Sequence, residues 1–66
     1  MNFESFAFTL RRRREEYDLT QQELAQRSGI NLRSINAIES GKANPSFSTL
    51  EKLAEVLNLE LIIRRP

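Results

Sequence analysis

The stretch from Leu19 to Gly41, LTQQELAQRSGINLRSINAIESG, constrains the fold of this chain more than any other part of it. Thr20 followed three residues later by Glu23 forms a capping box. In it the hydroxyl accepts from the Glu23 amide and the carboxylate reaches back to the Thr20 N–H. Leu19 and Leu24 stand where a hydrophobic staple would put them. A helix is therefore predicted over 21–27 or 28, stopped by Gly29, the residue best able to turn left-handed after a helix end. Asn31 is a good N-cap, and a second helix is predicted over 32–40, with Ile35 and Ile38 inward and Gly41 closing it. Ala25 is small enough for the two helices to cross closely. Leu24, Ile30, Ile35 and Ile38 fill the angle between them.

The flanks have helical character too. Over 4–17, Phe3, Phe6 and Leu10 fall on one stripe at spacings of three and four. Arg14 continues that line inward, while Arg12 and Arg13 face solvent. A last helix is predicted over 47–57, capped by Ser46 or Ser48, with Leu50, Leu53, Ala54 and Leu57 repeating at helical spacing. Residues 59–64, LELIIR, change to a period of two, which predicts a strand. A lone strand leaves its backbone groups unpaired, so its expected partner is the same strand of a second copy. Leu59, Leu61, Ile62 and Ile63 would then line a dimer interface. The expected fold class is all-α: a bundle of four helices over 1–58 with a β-like dimerisation tail over 59–66.

Composition excludes much else. The chain has 66 residues with no cysteine and no histidine. That removes disulfides, the usual zinc ligands, a thiol nucleophile and a histidine base. There is no glycine-rich phosphate loop and no pair of carboxylates in an evident cleft, so neither an enzyme nor a cofactor is expected. A chain this short buries only about 60% of its unfolded surface, which leaves self-association as the available supplement to stability. No apolar run approaches the roughly 20 residues of a membrane span, and no signal peptide is evident. A soluble cytoplasmic protein is expected. The net charge is only +1, but Arg11–Arg14 and Arg64–Arg65 are clustered while the acids are scattered. Such clustering permits a basic face toward a polyanion.

Two short helices about a tight turn make a helix-turn-helix unit, whose second helix enters the DNA major groove with its N-terminal residues on base edges. Here those residues are Asn31, Leu32 and Arg33, with Asn36 and Ala37 a turn later. The stretch resembles the λ-repressor/Cro-type (XRE-like) helix-turn-helix family. The matching pieces are Leu19-Thr20-Gln21, Glu23-Leu24-Ala25, Ser28-Gly29-Ile30, Ser34-Ile35, Ile38-Glu39-Ser40-Gly41-Lys42 and Asn44-Pro45-Ser46. The resemblance implies a compact domain, of five-helix type reduced here to four, that binds operator DNA as a two-fold dimer. It places Gln21 on a phosphate and Asn31, Leu32, Arg33 and Ala37 at bases. Arg33 suits guanine and Asn31 adenine, while Leu32 and Ala37 offer apolar contact. It also places Lys42 and Asn44 on the DNA backbone and pairs Arg14 with Glu39 as a structural ion pair. Arg13 and the strand-like tail depart from the pattern, and the tail is similar to that of the HipB-like antitoxins.

Each signal has a plainer alternative. Asn31 and Arg33 are also ordinary residues of an exposed helix face, and Gln21 an ordinary first-turn residue. Ser34 and Asn36 divide evenly between phosphate contact and solvation. Glu15 and Glu16 balance the arginine block, leaving Arg11 to reach a flanking phosphate. Phe3, Phe6, Phe8 and Phe47 read as core or dimer interface rather than as base-stacking platforms. The leading expectation is a homodimeric repressor on an inverted repeat, and the tail favours an autoregulating antitoxin. The alternatives are a module that neutralises a partner toxin, a phage Cro-like switch or a restriction-modification controller.

Overall fold

Helices form where the caps and stops predict them. The computed structural model describes residues 3–61, with side chains from Phe6 onward. Its elements are α1 (Phe3–Glu16), α2 (Gln21–Ser28), α3 (Leu32–Glu39) and α4 (Phe47–Val56). The last three are entered alike. Thr20, Asn31 and Ser46 are in extended conformation, and each side-chain oxygen accepts the backbone N–H three residues on, from Glu23, Ser34 and Thr49. Each bond satisfies one of the amides that a helix start leaves without a partner. At α2 the box is complete, with the Thr20 N–H donating to Glu23 Oε1 at 2.9 Å.

The helices also stop alike, through left-handed residues: Asp18 and Asn58 at φ 56°, Gly29 at 74° and Gly41 at 77°. Asp and Asn are the non-glycine residues best suited to that region. After α1, α3 and α4 the stop is a two-bond closure. The longer bonds run from the N–H of Leu19 to Arg14 O, of Lys42 to Ala37 O and of Leu59 to Ala54 O, at 2.8–3.1 Å.

Leu10, Leu24, Ile35, Leu53 and Leu57 are fully buried, so every helix contributes to one core. Each such side chain stabilises by about 1.5–3 kcal/mol relative to exposure. α3 packs on α1 and α2, and α2 also packs on α4. The stapling pair Leu19 and Leu24 both lie in this core.

Three expectations change. Phe8 is 67% exposed and Phe47 49%, so of the described phenylalanine side chains only Phe6 is core, and of the two readings offered for Phe8 and Phe47 it is the core one that falls. Phe8 falls off the Phe6–Leu10 stripe, and Phe47 is the first residue of its helix. Arg13 is half-buried rather than turned to solvent, and it also pairs with Glu16 at 3.5 Å. Its Nε donates to Leu57 O at 3.0 Å and its guanidinium lies 5.2 Å from the Tyr17 ring, so it closes the end of α4 from α1. The tail shows no strand where it is described. The turn at Asn58 folds the chain back over α4, and Leu59 and Leu61 pack against the chain's own core. Ile62 and Ile63 lie outside the described residues, so the paired-strand dimer has no support among those that are described.

Candidate nucleic-acid interface

The site is built over a buried ion pair at the end of α3. Arg14 and Glu39 meet in a two-pronged pair, Nε to Oε2 at 2.6 Å and Nη2 to Oε1 at 2.8 Å. Their side chains are 11% and 4% exposed. Arg14 Nη1 also donates to Leu19 O at 2.7 Å, so one guanidinium joins α1, the entry to α2 and the end of α3. The hydrogen bond that Arg14 donates to Glu39 pushes the Arg14 pKa above its ordinary value, against the opposing effect of burial, and holds the group charged. The sequence reading of this pair as structural agrees with its geometry.

Around it runs a chain of side-chain amides. Gln21 Nε2 donates to Glu39 Oε1 at 3.1 Å, and Asn36 Nδ2 donates to Gln21 Oε1 at 3.3 Å. Gln21, expected at a phosphate, therefore spends its side chain on holding α2 to α3. Sequence reasoning missed this because the spacings of 15 and 18 residues carry no local signal. Only the approach of the two helix faces brings the groups together.

Ile35 and Ile38 turn one side of α3 to the core. At 100° per residue the opposite side carries Arg33, Asn36, Ala37 and Ser40, with Leu32 at its edge. Arg33 and Asn36 are exposed, Leu32 is 45% exposed and Ala37 half-buried. Arg33 enters no ion pair among the described residues. Asn31 is exposed, but its Oδ1 accepts from the Ser34 N–H at 2.8 Å, so one of its two base-pairing atoms serves the helix cap. A groove of about 260 Å³ joins Arg33, Ser34 and Ala37 to Asn44, Pro45 and Thr49, which brings the loop after α3 beside the outward side of that helix. Lys42 is exposed at the start of that loop.

Arg11 stands apart on α1. It forms an exposed pair with Glu15 at 3.9 Å and lines a second groove with Ser40 and Gly41, at the far end of α3. Arg12 pairs with Glu16 at 3.7 Å, so the arginine block is largely the balanced surface its acids suggest. The outward side of α3 thus carries Leu32, Arg33, Asn36 and Ala37, and the groove joins Arg33, Ser34 and Ala37 to Asn44, with Asn31 at the start of the helix. Arg11 lies at the margin of that side.

The sequence matches known proteins. A family model described as helix-turn-helix matches residues 10–63. An uncharacterized HTH-type transcriptional regulator of Archaeoglobus fulgidus is 40% identical over 48 residues, covering 73% of this chain and 68% of its own length. Another, from Methanothermobacter thermautotrophicus, is 40% identical over 53 residues, covering 80% and 77%. The HTH-type transcriptional repressor RghR of Bacillus subtilis is 46% identical over 57 residues, covering 85% of this chain and 42% of RghR. With nearly its whole length matched and a capped pair of helices in the required order, the chain belongs to the helix-turn-helix family.

Proposed function

We propose that the protein is a sequence-specific regulator of transcription, a repressor rather than an enzyme, that binds double-stranded DNA through α3. The observation that carries this reading is the outward side of α3. It holds an arginine without an ion-pair partner among the described residues, an amide and two small or apolar groups, backed by a buried ion pair and bordered by a loop with Lys42 and Asn44. Arg33 reads guanine through its two-pronged donor edge, Leu32 and Ala37 meet thymine methyls, and Asn31 adds a base contact from the helix cap. Ser34, Lys42, Asn44, Arg11 and the start of α2 at Gln21 face phosphates, which position the domain without reading sequence. The names of the relatives support the regulatory role. Two copies on an inverted repeat would place their half-sites about 34 Å apart.

An antitoxin role, and with it a toxin partner, drew on a paired tail strand. Leu59 and Leu61 instead pack on their own core, so no observation favours that role over a plain repressor.

Selection of bound duplexes from a random pool, with wild type and Arg33→Ala at two salt concentrations, tests the reading. Enrichment of an inverted repeat is expected, with preference relaxed at one symmetric position in the variant. The lost contact should cost about 1–3 kcal/mol and leave the salt slope nearly unchanged. Binding that fades with salt and ignores the substitution would reduce the protein to phosphate attraction and overturn the proposal.

A further inference from the structure

We infer that Asn36 is a base-reading residue for an exocyclic amino group, and that Gln21 is the positioning residue that turns its amide. The inference rests on α3 being the reading helix. Its argument is the direction in which hydrogen bonds run outward from the core.

An ionised carboxylate only accepts, and a guanidinium only donates. Glu39 is held ionised by Arg14 at 2.6 and 2.8 Å, so whatever else approaches its Oε1 must donate. Gln21 approaches to 3.1 Å and therefore offers Nε2. That leaves its Oε1, which only accepts, toward Asn36. Asn36 must answer with Nδ2, at 3.3 Å. The Asn36 oxygen is then the branch of the amide directed away from Gln21. The two amide orientations follow from the fixed charge at the buried end of the chain, because turning either amide would set oxygen against oxygen.

Asn36 is exposed, and it lies on α3 opposite the buried Ile35 and Ile38, one turn beyond Leu32 and Arg33. Its free oxygen thus belongs to the same surface as Arg33. A phosphate oxygen accepts only, and so do the major-groove atoms O6 and N7 of guanine and O4 of thymine. The groove donors are the amino groups N6 of adenine and N4 of cytosine. The phosphate role open to Asn36 from sequence would call on the second N–H of a nitrogen whose first is given to Gln21, whereas both lone pairs of the oxygen are free. The oxygen suits an amino group. Arg33, which only donates, and Asn36, which presents an acceptor, would then make one helix face discriminate both kinds of base edge.

The test is duplex selection with wild type, Asn36→Ala and Gln21→Ala, each checked for its helical circular dichroism. Wild type should enrich adenine or cytosine about tenfold over guanine and thymine at one symmetric position, and the selected sequence tells which of the two. Asn36→Ala, on an exposed face that leaves the fold intact, should lose preference at that position alone. Gln21→Ala frees the amide to turn and should admit guanine and thymine there, while the Arg33 position stays sharp. A wild-type pool enriched in a duplex that Asn36→Ala selects unchanged would overturn this inference and leave the proposed function standing. A preference unmoved by Gln21→Ala would overturn the positioning role. No enriched duplex with wild type would overturn both.

Discussion

Arg14 and Glu39 show how a buried residue pair can order the outward side of α3. The pair joins three helices, and its carboxylate sets the polarity of the amides beyond it. Removing one member of a buried pair strands the other, at a cost of about 3–5 kcal/mol. The whole stability of 66 residues is about 3–10 kcal/mol, so the loss would be a large part of the total. Arg14→Ala should therefore be largely unfolded at 37 °C or melt far below wild type, as seen by circular dichroism. Double replacement of Arg14 and Glu39 by methionine and leucine should recover much of that loss, because no stranded charge remains. Periodicity showed only that Arg14 leans inward; its pairing with Glu39 came from the family resemblance. The Gln21–Asn36 link was not legible, since both look like surface amides until two helix faces meet. Asn31 was legible only in part: its type suits a cap and a base equally, and the structure shows the cap.

The caps were the most readable elements, since a Thr-x-x-Glu pattern encodes its own hydrogen bonds within four residues. The Glu23 pKa is pulled below the usual carboxylate value, first by the Thr20 backbone N–H and then by its side chain. A lowered folded value means that the carboxylate stabilises the fold fully above the ordinary glutamate value of about 4.3. That contribution is lost as pH falls through the lowered folded value. Urea midpoints of wild type and Glu23→Gln should thus differ at pH 7 and converge in acid. The helix ends were less readable. Gly29 and Gly41 announce themselves, whereas Asp18 and Asn58 do the same work as polar residues that suit many other places. Each is followed by a leucine, Leu19 and Leu59, that the turn delivers to the core. That leucine was the available signal for the fold-back. In the tail it was read instead as the first tooth of an alternating strand.

For the whole molecule, the tail decides how stability depends on concentration. With Leu59 and Leu61 seated on their own core, truncating Leu59 removes packing within one copy. Leu59→Ala should cost about 1 kcal/mol, half the value of a fully buried leucine. In a domain of this size that lowers Tm by about 4–8 °C. The fall should be equal in melts a hundredfold apart in protein concentration. A fall seen only in the concentrated sample would return the tail to the role of a subunit contact, since association stabilises by mass action.

The closed helix ends bear on how such a chain can change length over generations. Between α1 and α2, Asp18 turns, Leu19 closes and Thr20 caps. Between α2 and α3, Gly29 turns, Ile30 packs and Asn31 caps. One residue inserted into the end of either helix would rotate the next by about 100° and carry Arg33 off its face. Between the closure at Lys42 and the cap at Ser46, residues 43–45 take part in neither. Ala43 packs on the core, so length changes are best absorbed at Asn44 and Pro45, where a longer loop leaves the angle of α3 preserved.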